Sequence, residues 1–478
     1  MTHGDTSTIQ SVPAVPIAKV ATKNAGLDEV LEGGIPSSGF TLLIGGPGTG
    51  KTVLGLEFLV RNGQAGHPGV LITFEETEAA MRRLGLSFGW DLADLEARHQ
   101  LAIVSARIQP DAVLTGDFDL QGILALLAQK IQETKAQHVF IDAPDALLRL
   151  LNDVAKERAQ LHILSGWLSA KGLTTLMTVK REARYDFLEY SADCVICLDQ
   201  RVSDQVATRR LRVSKYRGSS FSRNEYPFSI SDVGVWIIPV TRANLQHRAL
   251  GDDVPTGIRG LDLILGGGYR RSSCTLIGGS SGTGKTTLAC AFVTSAIDKG
   301  DRVLHLDYEE SWDALVSCMT STGIDLSTAH DSGRLRFVSA MPEGKGIEEH
   351  LVQAFQEIER FEPTHLVVDA ISACRRMGSS HAAFDFLLRL IDHCKQRGIT
   401  SLLTNLGSAR DENEITGIDM SSVIDTVILL ANTKAGDRFV RSLHVLKSRG
   451  RAHSDRVHPF RITGRGIEFV TEESLHAV

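Results

Sequence analysis

GGPGTGKT at residues 45–52 and GGSSGTGKT at residues 278–286 decide the fold of this chain. Each follows a short apolar run, TLLIGG or TLIGG. Each opens a segment with apolar residues at helical spacing, VLGLEFLVRN or TLACAFVTSAI. Strand, G-x-x-x-x-G-K-[ST] turn and helix together make a phosphate cradle. Its glycines let backbone N–H groups turn inward around phosphate oxygens, and the helix N-terminus adds partial positive charge. Gly46, Gly48, Thr49 and Gly50 form the first cradle; Ser281, Gly282, Thr283 and Gly284 form the second, with Thr287 just inside its helix. Lys51 and Lys285 are expected to reach the β- and γ-phosphates of ATP, and Thr52 and Thr286 to hold Mg²⁺.

The two motifs belong to a repeat spanning the chain. Lys51 and Lys285 lie 234 positions apart, as do Gly26-Leu27-Asp28 and Gly260-Leu261-Asp262, Gly33-Gly34 and Gly267-Gly268, and Glu75 and Glu309. Lys215 and Lys447 follow at an offset of 232. Near-constant offsets mean duplication of a whole domain. The expected organisation is a lead-in over 1–13, a domain over 14–240, a polar linker over 241–252, a second domain over 253–470 and a tail over 471–478. In each half, apolar runs alternate with helical patterns: VLITFE and VLHLDYE, HVFIDA and HLVVDA, TTLMTV and TSLLTN, CVICLD and TVILLA. That alternation predicts an α/β fold, a mostly parallel sheet flanked by helices, with ligands at the carboxyl ends of the strands.

Polar residues collect at those strand ends. Asp142 and Asp369 each terminate an apolar run, where a carboxylate engages the water shell of a metal. Glu75-Glu76 and Glu309-Glu310 end the neighbouring strand, where a carboxylate can take a proton from an attacking water or hydroxyl. The plainer reading of each pair is a solvated acidic opening to a helix. Lys215-x-Arg217 and Lys447-x-Arg449 place two cations on one face of a late strand, away from their own P-loop. Such cations stabilise transferred charge at a neighbour's site, or else decorate a solvated strand.

Composition excludes other classes. A chain of 478 residues is too long for one core. No apolar run approaches the roughly 18–20 residues of a membrane span, and MTHGDTSTIQSVPAVP has no signal-peptide pattern. Seven cysteines, an odd number scattered along the chain, fit a reducing cytoplasm. Cys194-x-x-Cys197 lies in an apolar run whose alternation sends the two thiols to opposite faces, so it reads as core rather than a redox pair. Sixteen histidines form no metal-ligand spacing. A net charge of −6 does not suit a protein built around a nucleic-acid backbone.

These motifs, with K-x-R-G near each domain end and EYPFSI at 225–230, resemble the KaiC family of clock-type ATPases and autokinases over nearly all of residues 15–470. The resemblance implies two tandem RecA-like P-loop domains in a homo-oligomeric double ring, a hexamer with ATP at subunit interfaces. The first ring would chiefly hydrolyse ATP and the second phosphorylate itself. It implies Glu75 and Glu309 as general bases, with Glu309 also near the metal. Ser87, Lys215, Arg217, Ser219 and Asp232 would line the first nucleotide pocket, and Arg441, Lys447 and Arg449 the second. Ser421 and Ser422 would accept phosphate. A KaiB-type partner would dock near Ala106–Phe118. A KaiA-type activator is not expected, because the chain stops at GIEFVTEESLHAV, nor are membrane or nucleic-acid partners. The sequence departs from the family at Phe221, where a histidine is usual, and at Thr322, where a tryptophan is usual. The competing classes are a DNA-stimulated RecA-like motor and a scaffold held together by nucleotide.

Overall fold

The computed structural model describes residues 17–107, 120–145, 153–182, 185–203, 206–238, 249–407, 423–435 and 438–470. The expected lead-in and tail, and most of the linker, lie outside them. The chain divides into two compact units, Met1–Val240 and Thr241–Val478. Among the described residues each unit carries one nine-stranded sheet and a small two-stranded ribbon.

The strands of the first sheet are β1 (Phe40–Gly45), β2 (Gly69–Thr73), β3 (Leu101–Ser105), β4 (His138–Asp142), β5 (Thr174–Lys180), β6 (Cys194–Ser203), β7 (Val206–Tyr216), β8 (Tyr226–Ser231) and β9 (Gly234–Ile237). Their order is β9-β8-β7-β6-β1-β5-β4-β2-β3. From β6 to β3 the pairing is parallel; β7, β8 and β9 add an antiparallel meander at the other edge. The second sheet repeats this with β10 (Cys274–Gly279), β11 (Val303–Asp307), β12 (Leu335–Ser339), β13 (His365–Asp369), β14 (Thr400–Leu406), β15 (Thr426–Ala435), β16 (Arg438–Ser448), β17 (His458–Thr463) and β18 (Gly466–Phe469). Its order is β12-β11-β13-β14-β10-β15-β16-β17-β18.

The parallel strands are continuous apolar runs because both faces are covered. In the first unit Leu43, Leu71, Phe140 and Ile196 pack beneath the P-loop helix Lys51–Gln64. Their chain neighbours Leu42, Ile72, Ile141 and Val195 pack on the opposite face with Leu127, Leu161 and Leu164 of two other helices. Cys194 joins the first cluster and Cys197 the second, as alternation requires, and both thiols are free and buried. Phe140 also explains a mid-helix glycine. A Cβ on Gly55 would stand 2.2 Å from the Phe140 ring, so the helix gives up about 1 kcal/mol of propensity to seat the ring. The repeat solves the same contact with Ala289 and Val367, both fully buried.

Register fixes which side chains can meet. Gly45 pairs with Lys180 and Thr73 with Asp142 at the carboxyl end of the first sheet. Lys215 pairs with Val195, near the start of β6, after a register shift that leaves Ser214 bulged. It therefore lies at the far end of the sheet from its own P-loop. The second sheet repeats the shift between Val427 and Ile428 and pairs Lys447 with Val427.

Candidate nucleotide sites

Each P-loop wraps tightly between its strand and its helix. Gly50 and Gly284 have φ of 93° and 101°, and a Cβ there would meet Ile230 at 2.7 Å and Ile462 at 2.8 Å. A side chain is thus excluded by backbone conformation and by space. Thr49 and Thr283 are buried and brace the turn, donating to the carbonyls of Gly46 (2.9 Å) and Ser280 (2.8 Å). Lys51 Nζ donates to the carbonyls of Gly45 (2.8 Å) and Gly46 (2.7 Å), and Lys285 Nζ to those of Gly279 (2.9 Å) and Ser280 (3.0 Å). Burial lowers the pKa of both lysines, against the pull of Asp142 and Asp369 respectively.

Thr52 Oγ1 lies 3.2 and 3.1 Å from the two oxygens of Asp142, and Thr178 donates to the same carboxylate at 2.8 Å. Asp142 is buried, and burial raises its pKa against those two hydroxyls. Thr404 holds Asp369 in the same way. An open cleft of about 970 Å³ brings Gly48, Lys51, Thr52, Glu75, Glu76 and Asp142 together. N–H donors, a lysine, a hydroxyl and carboxylates around one cleft fit a triphosphate with a hard cation.

Glu75 and Glu76 follow β2, and Thr77 then caps helix Glu78–Ser87. Thr73 Oγ1 accepts the Glu76 N–H at 3.2 Å. In the second unit Asp307 accepts the N–H groups of Glu309 (2.9 Å) and Glu310 (2.6 Å), and Ser311 caps the helix. The pKa values of Glu309 and Glu310 are raised, first by burial, then by Asp369 and Asp307 respectively.

The remaining expected residues fall into separate groups. Arg441 lies beside its own P-loop, donating to the Gly282 carbonyl at 3.2 Å. Arg209 makes the same approach to Gly48 at 3.5 Å. Sequence reasoning missed it, although the 232 offset from Arg441 points to it. Asp232 sits in the β8–β9 turn, close to cleft-lining Ile230. Ser87, at a helix end, is exposed and donates to Leu84 O. Thr287 is buried in the first turn of its helix, Lys285–Asp298.

Lys215 donates to the carbonyls of Glu189 (2.7 Å) and Tyr190 (2.9 Å), and Arg217 also reaches Tyr190. Ser219 follows them at that far end. Lys447 donates to Ile424 O at 2.8 Å, and Arg449 faces Asp425 at 3.6 Å. Burial and the adjacent arginine lower the pKa of both lysines. Phe221, at the variant position, stacks on Tyr216 with ring centroids 6.5 Å apart. Ser421, Ser422 and residues 108–118 of the expected docking segment lie outside the described residues.

Fold and site together define a tandem P-loop ATPase of the α/β class. The ATPase family model described as KaiC matches residues 20–242 and again residues 254–474. A Synechocystis protein named circadian clock protein KaiC2 is 37% identical over 466 residues, covering 96% of this chain and 82% of its own. A Synechococcus elongatus circadian clock oscillator protein KaiC is 34% identical over 460 residues, covering 94% of this chain and 88% of its own. One from Prochlorococcus marinus is 33% identical, with coverage of 95% and 91%. The chain belongs to the KaiC family. Among the described residues no helix is long and apolar enough to cross a membrane.

Proposed function

We propose that both domains bind Mg-ATP, that the first chiefly hydrolyses it, and that the second transfers its γ-phosphoryl group to Ser421 and Ser422. The observation that carries this is the split of each domain's chemistry between two ends of one sheet. Lys51, Thr52, Asp142 and Glu75 gather at one end, and Lys215 and Arg217 at the other. Cations so placed serve the site of a neighbouring subunit, which makes the working unit a cytoplasmic ring, of six subunits in this reading.

Thr52 and Asp142, or Thr286 and Asp369, would hold Mg²⁺, which when bound would supply positive charge to offset that developing on the phosphates. In the first domain Glu75 takes a proton from the attacking water. In the second, Glu309 takes the serine proton as the serine oxygen bonds to the γ-phosphorus. The bond to the bridging oxygen breaks, and ADP leaves. The neighbour's Lys and Arg stabilise the transferring charge. Such a ring is a clock or timing component whose first tier offers a surface to a KaiB-type protein.

Phosphopeptide mapping after incubation with Mg-ATP tests the reading, beside a Ser421→Ala/Ser422→Ala variant. Label on either serine supports it; label elsewhere overturns the acceptor assignment, and none leaves an ATPase alone. Turnover that persists undiminished in Glu75→Gln overturns the first-domain assignment and favours the nucleotide-held scaffold.

A further inference from the structure

Three positions around the second P-loop helix differ from their repeat partners in the same chemical direction. Where the first domain has Leu56, Leu71 and Thr73, the second has Cys290, His305 and Asp307. His305 and Asp307 are two apart on β11, so their side chains leave the same face of the sheet. Asp307 is the register partner of Asp369 on β13. All three are buried, with 1%, 2% and 5% of their surface exposed.

His305 Nε2 stands 3.6 Å from Asp307 Oδ2, beyond hydrogen-bond range, and has no hydrogen-bond partner. One donor atom each from His305, Asp307 and Asp369 lies within 4.8 Å of the others. Two ligands of a tetrahedral ion bound at about 2.0 Å are separated by about 3.3 Å, so a small inward movement seats a metal. Phe337 walls the imidazole at a centroid distance of 5.2 Å. On the P-loop helix, buried Cys290 feels the charges of Asp369 and Asp307.

Electrostatics favours an occupant. Two carboxylates share this buried pocket, while Lys285 Nζ is engaged with loop carbonyls. Desolvated carboxylates need a cation or a proton to offset their cost. The geometry points to a transition-metal site of the Zn²⁺ class, made by His305, Asp307 and Asp369, in the second domain alone. An imidazole ligand selects such ions over Mg²⁺. Asp307 already holds the N–H groups of Glu309 and Glu310 with its other oxygen. The ion would therefore stiffen the turn that carries the glutamates from behind, sharing the Asp369 carboxylate with the Mg²⁺ of the second nucleotide site.

The test uses the full chain, stripped with chelator and kept in excess Mg-ATP so that the nucleotide sites are filled. Zn²⁺ titration by calorimetry and Co²⁺ titration by visible absorption should each show one tight site per chain. His305→Leu, which installs the residue of the first domain, should weaken that site at least tenfold, and so should His305→Gln, which keeps the side chain's length and polarity. Asp307→Thr should do the same. The reverse graft, Leu71→His with Thr73→Asp, should create a second site. Unchanged Zn²⁺ stoichiometry and Co²⁺ spectrum in both His305 variants would overturn the proposal, as would a wild type that binds no Zn²⁺ under these conditions.

Discussion

Lys180 Nζ lies 3.1 Å from Glu75 Oε1, and at the matching register position of the second sheet stands Leu406. The same ammonium is 3.6 Å from buried Asp145, whose repeat partner is Ser372. The two sites thus differ at the proposed base. The ion pair engages one oxygen of Glu75, so removing Lys180 frees the proposed base to meet a water. Partly exposed pairs contribute about 0.2–1 kcal/mol, equivalent to roughly 1.5- to 5-fold in rate. Lys180→Leu should raise the kcat of first-domain hydrolysis by that factor, read by steady-state turnover in a Lys285→Ala background. A fall in kcat would mean that Lys180 acts on the phosphates instead.

Gly55 with Phe140, and Ala289 with Val367, are two solutions to one packing contact. Gly55→Ala alone overfills the first core and should destabilise it by about 1–3 kcal/mol. Phe140→Val alone leaves a cavity at similar cost. The double variant, which recreates the pair of the second domain, should recover more than about 1 kcal/mol of the summed loss. Denaturant unfolding followed in the first domain measures this coupling. Strict additivity would show that the ring and the glycine do not share their space.

How much was legible in the sequence follows from where each interaction lies along the chain. The P-loops, the apolar strands and the terminal carboxylates are local patterns, and the repeat doubled each signal. The face on which Cys194 and Cys197 fall follows from alternation alone. Lys180 beside Glu75 depends on which strands are neighbours and in what register, and no spacing encodes that; Arg209 beside Gly48 is signalled by sequence only through its repeat offset from Arg441. The cluster of His305, Asp307 and Asp369 escaped a search for ligand spacing because its members sit on two strands 62 residues apart, from Asp307 to Asp369.

His138 and His365 are repeat partners with different surroundings. His365 Nε2 has Asp301 at 3.1 Å. In the first domain His67 takes that aspartate's place, with ring centroids 6.2 Å from His138. Burial, with help from His67, pushes the His138 pKa down to about 4, from 6.5. The unfolded chain therefore binds a proton between those values that the folded domain refuses. Stability contributed by neutral His138 is present above pH 6.5 and is lost as pH falls toward about 4. The loss amounts to about 1–3 kcal/mol. His138→Leu should flatten the fall in first-domain melting temperature over that window, as calorimetry at stepped pH would show. An unchanged slope would place the acid sensitivity elsewhere.

ATP should drive assembly, because Lys215 and Arg217 cannot serve the P-loop of their own sheet. Light scattering should show a large particle with Mg-ATP and a small one without it. Lys215→Ala/Arg217→Ala should lower first-domain hydrolysis at least tenfold while ATP still binds to the cleft. Equal particle mass in both conditions would remove the neighbour's role from these cations.

Lys395 Nζ lies 2.8 Å from Asp425 Oδ2, and both side chains are buried. It also donates to the Val423 carbonyl at 2.7 Å, one residue after Ser422. Asp425 accepts the Cys274 N–H at 2.9 Å and faces Arg449 at 3.6 Å. A single buried ammonium therefore ties helix Ser380–Arg397 to the residues that follow the proposed phosphate acceptors, and Asp425 ties them on to the start of β10. Removing one partner of a buried pair leaves an uncompensated charge and costs about 3–5 kcal/mol; here Arg449 remains to offset part of it. Lys395→Met should therefore lower the melting temperature of the second domain. It should also slow phosphorylation of Ser421 and Ser422 at least fivefold, since the acceptor segment loses its fixed end. First-domain hydrolysis should stay within twofold of wild type. Time-resolved phosphopeptide analysis beside an ATPase assay separates these effects. Lys395→Arg, which keeps the charge but not the fit, should give an intermediate rate. Phosphorylation at the wild-type rate in Lys395→Met would show that the acceptor segment is held by other contacts.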